Sequence, residues 1–305
     1  MKQYNFTQTS VQIPADDRIE LCAWLFLPDA ASPLPAITMA HGYAGSKYHG
    51  LQPFAELFAR AGFVVLVHDH RGFGDSGGLP RQDVNPWQQI ADWRRAVSYL
   101  ESLPQVDAAR IGIWGTSYAG GHALVLAATD RRLKAVVSQV PIISGIEQGK
   151  RRTSPDLLPA LEAFLTDDER CQFKGEPIRY MPVVTEDKSQ RAAYYAPEII
   201  DFYLQSLPQD KWENKVTVRS GYWSRMYEPG AFISLISPTP LLMIVADEDR
   251  VTLTDVELAA YEQALQPKQL QLIKGGHFEP YLKQFEEAAG AALTWFNQHL
   301  NKKII

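Results

Sequence analysis

Apolar residues along this chain fall into two kinds of pattern. Residues 36–40, 63–67, 111–114, 133–140 and 240–245 are short, nearly continuous apolar runs, with no polar residue at every second place. A strand buried on both faces reads this way, and such strands belong to parallel sheets. Between the runs the spacing turns helical, over 51–61, from Asn85-Pro86 onward, and over 118–128. The second of these is sharply marked. Asn85 suits an N-cap, Pro86 suits the first helical position, and Ile90, Trp93, Val97 and Leu100 then recur on one face. From residue 36 the order is strand, helix, strand, helix, strand, helix, strand, which predicts a parallel sheet covered by helices on both faces.

The flanks read differently. Residues 6–13 and 18–27 read as two strands, with Val11 and Ile13, and Ile19 and Leu21, alternating with polar neighbours and Asp16-Asp17 as the turn between them. Alternation of strand and helix stops at Pro141. Residues 142–235 hold helical pieces, 154–166 (Ser154 as cap, Pro155 first) and 197–207, with no evident sheet strand. It resumes with the strand 240–245, a helix over 254–265, a strand over 269–273 and a final helix over 280–299. In that helix Phe285, Ala289, Ala292 and Phe296 share a face. The expected fold class is α/β: a core of residues 1–141 and 236–305, with 142–235 a largely helical cap inserted over the sheet.

Composition narrows the class. The 305 residues are 46% hydrophobic and 21% charged, with net charge −5, an ordinary globular balance that argues against a nucleic-acid binder or a basic membrane-surface protein. Cys22 and Cys171 are far apart and in no metal-ligand spacing, so a reducing compartment is the simpler reading. Met1 to Phe6 lacks the apolar run of a signal peptide, and no stretch is long and apolar enough to span a bilayer. A cytoplasmic location is expected. No nucleic acid, membrane or cofactor is expected as a partner. A homodimer is retained as an assembly state.

The chemistry gathers at three strand ends. Gly115-Thr116-Ser117-Tyr118-Ala119 follows the run 111–114 and matches Gly-x-Ser-x-small. That turn holds a serine in a strained posture, so small neighbours are required, and it points helix N-terminal amides at the reacting carbonyl. Ala119 replaces the second glycine. Asp249 follows the run 240–245, and His277, in Gly275-Gly276-His277-Phe278, follows the last strand. Catalytic groups of parallel sheets collect beyond the carboxyl ends of strands. Serine needs a base, an orienter for that base and oxyanion donors. His277 is the candidate base and Asp249 the candidate acid, with Asp247 as its fallback. The amides of Tyr43 and Tyr118 are the candidate oxyanion donors. His41 is a rival base by type, but better suited to bracing the loop 41–45.

These pieces carry a resemblance. His41-Gly42-Tyr43-Ala44-Gly45-Ser46, Asp69-His70-Arg71-Gly72-Phe73-Gly74-Asp75-Ser76, the Ser117 turn, the Asp249 loop and Gly276-His277-Phe278 together look like an α/β-hydrolase over most of the chain. Within that superfamily the chain resembles the dienelactone-hydrolase-like group and the cocaine-esterase/prolyl-dipeptidyl-peptidase group. It is also similar to bacterial hydrolases related to fungal polyketide transferases. Dienelactone hydrolases themselves use a cysteine where this chain has Ser117. The resemblance implies ester or thioester cleavage through an acyl-enzyme, with acyl transfer, peptide cleavage or C–C hydrolysis as variants on the same triad. A non-catalytic receptor on the same fold is the rival of another class.

Other signals weigh less. Gly72-Phe73-Gly74-Asp75-Ser76-Gly77 spells a dinucleotide-type turn, but the helix begins too late, at Asn85-Pro86, to meet a pyrophosphate. His68 and His70 share a strand face without a third metal ligand in view. Lys150-Arg151-Arg152 reads as a solvated charge run that could also attract an anionic acyl substrate. Tyr222-Trp223 and Tyr227 suit either an acyl pocket or ordinary packing.

Overall fold

The computed structural model describes residues 3–301. Its centre is an eight-stranded sheet. Strands β1 (Phe6–Pro14) and β2 (Glu20–Pro28) form an antiparallel edge joined at Asp16–Arg18. The others are β3 (Leu34–Ala40), β4 (Val64–His68), β5 (Val106–Thr116), β6 (Leu133–Gln139), β9 (Leu241–Ala246) and β10 (Lys268–Ile273). The order is β1-β2-β4-β3-β5-β6-β9-β10, parallel from β4 onward.

The continuous apolar runs are explained by the two cores. On one face Ala36, Val64, Leu66, Ile111 and Ile113 meet α2 (Pro86–Ser102) and α3 (Tyr118–Thr129). On the other, Ile37, Met39, Val65, Val67 and Trp114 meet α1 (Gln52–Arg60) and α9 (Phe285–Leu300). Neighbouring residues of one strand therefore enter opposite cores, and neither can be polar without a partner. Thr38 has one, because Trp93 Nε1 on α2 donates to its hydroxyl at 2.8 Å. The α2 cap is as expected: Asn85 Oδ1 accepts from the amides of Trp87 and Gln88 at 3.1 and 3.3 Å, with Pro86 first in the helix. Trp93 is fully buried, so its truncation to alanine would cost about 3–5 kcal/mol.

Between β6 and β9 lie α4 (Gly145–Arg152), α5 (Leu158–Phe173), α6 (Pro197–Tyr203) and α7 (Val218–Arg225). Several expectations are corrected here. Residues 154–157 form a turn, and α5 starts only at Leu158, because the Ser154 hydroxyl engages the Asp156 side chain and caps no helix. The segment does contain strands: β7 (Tyr180–Met181) pairs antiparallel with β8 (Val216–Thr217). A two-residue ladder is too short to leave a periodicity. The helix expected over 197–207 ends at Tyr203. The final helix begins at Phe285, after a 3₁₀ turn over Glu279–Tyr281. The remaining helix, α8 (Thr254–Gln263), follows β9.

Candidate active site

Ser117 stands at the junction of β5 and α3 with φ 56° and ψ −119°. A non-glycine residue is held there only when its surroundings over-determine it. Those surroundings are the backbone bonds on both sides. Ser117 N donates to Gln139 O at 2.8 Å, and Ser117 O accepts from Gly120 N and Ile142 N, both at 3.0 Å. Gly115 makes the turn feasible, since a Cβ there would lie 2.1 Å from Ala119 O. Gly42 clears the hydroxyl from the other side; its Cβ would lie 3.0 Å from Ser117 Cβ.

The three expected side chains meet. His277 Nε2 lies 3.0 Å from Ser117 Oγ, and His277 Nδ1 lies 2.7 Å from Asp249 Oδ2. Asp249 and His277 are buried. Burial works against the charged form of Asp249, but the His277 imidazole and the hydrogen bonds from Thr252 outweigh it and hold the carboxyl below its usual range. Oδ1 accepts from the amides of Val251 and Thr252 at 2.7 and 2.9 Å, and Oδ2 from the Thr252 hydroxyl at 2.7 Å. Asp247 does something else: its Oδ1 accepts from Gly275 N at 2.7 Å and so ties the β9 loop to the histidine loop. Thr252 is a contact that sequence reading missed. Its hydroxyl also lies 3.2 Å from His277 Nδ1. The spacing Asp249-Arg250-Val251-Thr252, with the third residue returning an amide to the aspartate, is the signal that could have found it.

The loop after β3 carries Tyr43. Neither the Tyr43 amide nor the Tyr118 amide is bonded to a backbone carbonyl among the described residues, and Gly42 brings this loop against Ser117. The loop is fastened from below and above. His41 Nε2 accepts from His70 N at 3.1 Å, which leaves Nδ1 to donate to Gly42 O at 2.9 Å. Both ring nitrogens are thus spent on backbone groups, and burial, which lowers the His41 pKa, favours the neutral ring that this arrangement needs. From the β6–β9 segment, the Tyr203 hydroxyl donates to Tyr43 O, and Trp212 Nε1 donates to Ala44 O at 2.7 Å.

That Asp69 and Arg71 hold the 72–77 loop by polar contacts was expected; that the buried Lys47 joins them was not legible. Lys47 is fully buried, its ammonium bonded to Asp69 and, at 2.7 Å, to Asp75 Oδ2. Asp69 also accepts from the amides of Lys47 and Asp75. The Gly72–Gly77 stretch is thus a loop pinned by ion pairs, with Arg71 bidentate to Asp92 at 2.7 Å on each oxygen. His68, His70 and His122 pack behind it, His68 and His70 with ring centroids 5.2 Å apart. No group of three or more His, Cys, Asp or Glu among the described residues is arranged to hold a metal ion. No helix among them is long and apolar enough to cross a membrane.

One small space adjoins the serine, and a larger cavity adjoins that space. The small space, of about 20 Å³ with room for a single water-sized group, lies against Ser117 and His277 under Phe202, Tyr203 and Phe278. The cavity, of about 470 Å³, lies beside it among α4, α5 and α7 and reaches Tyr43 and Tyr118. Tyr194, Ile199 and Val251 border both. Of the aromatic candidates, Tyr227 is buried and its hydroxyl lies 2.7 Å from His122 Nδ1, which is packing, while Tyr222 is exposed.

The mixed sheet, flanking helices and buried His–Asp pair define an enzyme of the α/β-hydrolase superfamily. Within it the chain belongs to the X-Pro dipeptidyl-peptidase (S15) family, whose pattern matches residues 17–279. It is similar to the quorum-quenching protein AidA of Acinetobacter baumannii, 33% identical over 273 residues, covering 89% of this chain and 88% of that one. It is also similar to a thiohydrolase of Eupenicillium brefeldianum, 29% identical, covering 88% and 87%. Among solved structures, the α/β-hydrolase GrgF from Penicillium superposes with TM-score 0.84 at 26% identity, covering 97% of this chain and 100% of that one.

Proposed function

We propose that this protein is a serine hydrolase of carboxylic esters or thioesters, with Ser117 as nucleophile, His277 as base and Asp249 as its orienter. The observation that carries this reading is the unbroken contact from Ser117 Oγ through His277 to Asp249, on a serine held at positive φ. His277 Nε2 takes the Ser117 proton as Oγ attacks the carbonyl carbon. The amides of Tyr43 and Tyr118 receive the oxyanion. The imidazolium then protonates the leaving alcohol or thiol, and Asp249 stabilises its charge. In the second half, His277 activates a water that releases the acid and frees Ser117. Residues 142–235 act as the cap that shapes the acyl site, and the protein works in the cytoplasm on a small acyl substrate.

Relatives named as thiohydrolases support thioester cleavage. Others named as polyketide transferases, such as that of Gibberella fujikuroi at 28% identity, support a second reading in which an alcohol or amine replaces water. Intact-mass spectrometry after fluorophosphonate treatment tests the common step. Wild type is expected to gain one adduct and Ser117→Ala none; no adduct on folded wild type would overturn the reading. Product analysis with added alcohol or amine acceptors then separates transfer from hydrolysis.

A further inference from the structure

Four arginines, Arg152, Arg191, Arg225 and Arg250, line the larger cavity, and no Asp or Glu does. In a chain of net charge −5 this reverses the local sign. Two members of the run 150–152 behave as a solvated face. Lys150 pairs with Glu147 at 2.8 Å, and Arg151 is bidentate to Asp255 at 2.7 and 2.8 Å. Arg152 differs. Its Nη2 donates to Val251 O at 3.0 Å, and its guanidinium lies 4.5 Å from the Tyr194 ring centroid. Val251 and Tyr194 are the residues that also border the space at Ser117. Burial raises the phenol pKa values of Tyr43 and Tyr203, and the positive charge of Arg152 opposes both.

Among the described residues Arg152, Arg191 and Arg250 have no carboxylate partner, and Arg225 approaches Glu162 only at 3.6 Å. Arg152, which reaches Val251 O, and Arg250, in the loop after β9, line this cavity together with the apolar side chains of Leu161, Phe164 and Met181. Arg152 spends Nη2 on Val251 O, which leaves its other donors, with those of Arg250, for a planar anion, and a pair with carboxylate or phosphate is among the strongest polar contacts available. An apolar lining shared with such groups fits a methylene chain that ends in an anion.

We propose that this cavity is an anion-selective subsite, in which Arg152 and Arg250 hold a carboxylate or phosphate carried by the substrate remote from its scissile ester or thioester bond. This rests on the serine-hydrolase reading and narrows its substrate class. The anion could lie on the acyl side or on the leaving-group side, and two substrate pairs distinguish them. The first is 4-nitrophenyl hemiadipate against 4-nitrophenyl hexanoate. The second is hexanoyl-coenzyme A against the hexanoyl thioester of N-acetylcysteamine.

Wild type is expected to show a kcat/KM at least about tenfold higher for the charged member of one pair, and that pair identifies the side. Arg152→Gln and Arg250→Gln are each expected to cut that ratio about tenfold, and raising salt from 0.05 to 0.5 M to shrink it further. Equal rates within both pairs, or a ratio unchanged in both variants, would overturn the subsite. Binding to Ser117→Ala separates this from the catalytic reading. Calorimetry on that variant should rank monoethyl adipate above ethyl hexanoate, or coenzyme A above pantetheine. If wild type and Ser117→Ala turn over every ester alike, the serine assignment fails, while the calorimetric order still decides the subsite.

Discussion

Replacing Asp249 by Asn changes one atom and, by the geometry of its pocket, the position of a proton. Oδ1 accepts from two backbone amides, Val251 and Thr252. An asparagine must leave its oxygen there, because the reverse orientation would bury facing donors without acceptors at about 1–3 kcal/mol each. Its NH₂ group then occupies the Oδ2 position, against His277 Nδ1 and the Thr252 hydroxyl. Nδ1 can only accept from it, so the imidazole proton moves to Nε2. That proton points at Ser117 Oγ, 3.0 Å away, and Nε2 has no lone pair left to receive the serine proton. Loss of the correct tautomer in a serine triad costs about 10⁴ in kcat, and a fall of about 10³–10⁴ in kcat/KM is expected here, about 4–5.5 kcal/mol in the barrier. The assay is 4-nitrophenyl butyrate turnover by wild type, Asp249→Asn and Asp247→Asn, with the thermal midpoint recorded for each. Among the described residues the Asp247 carboxylate accepts from Gly275 N and makes no contact with His277, so its variant should retain activity within about tenfold. A folded Asp249→Asn that keeps more than a tenth of wild-type activity would refute this reasoning, more so if Asp247→Asn were the damaged variant.

Three other substitutions or conditions bear on the same framework. Gly115→Ala puts a methyl 2.1 Å from Ala119 O, which only a shift of the β5–α3 turn relieves; kcat/KM should fall about 100-fold or more, and a drop under threefold would mean that the turn is pliable. Lys47→Met strands the fully buried Asp69 carboxylate, and urea unfolding should show a loss of about 3–5 kcal/mol; an unchanged midpoint would deny that the pair matters. Burial lowers His49, His68 and His122 to about 3, so the folded state prefers them neutral. Their contribution is complete above the unfolded pKa near 6.5 and declines as pH falls toward 3, at about 1.4 kcal/mol per pH unit for each. Urea midpoints from pH 7.5 to 5 should fall accordingly, and His68→Leu should shallow that slope by one such share; a flat profile would refute it.

The parts that the sequence made legible are those in which one requirement dominates. Val64 to Val67 must satisfy two cores, so the run is uniformly apolar and reads as a buried strand. Asn85-Pro86 carries two independent helix-start signals that agree. Ser117, Asp249 and His277 each follow a strand end, where a parallel sheet leaves little choice of neighbourhood. Legibility failed where two local solutions compete. Ser154-Pro155 has the form of a helix start, but the Ser154 hydroxyl prefers the Asp156 carboxylate, and α5 begins at Leu158. It failed also for long-range polar pairs. Nothing near Lys47 in the chain announces Asp69, 22 residues on, and a lone lysine reads as surface. Thr252 lay in plain view, but a hydroxyl beside an acid has too many ordinary uses to stand out before the fold brings His277 to it.

The loop that bears Tyr43 does not stand on the sheet alone: its carbonyls at Tyr43 and Ala44 are held by Tyr203 and Trp212, which belong to the segment between β6 and β9. That segment is therefore no interchangeable attachment. Transplanting a relative's segment to import its selectivity would exchange both struts at once, and the recipient would lose turnover before it gained a new preference. A workable chimaera must carry the pair Tyr203 and Trp212 with their donor geometry, whatever it brings to the surrounding walls.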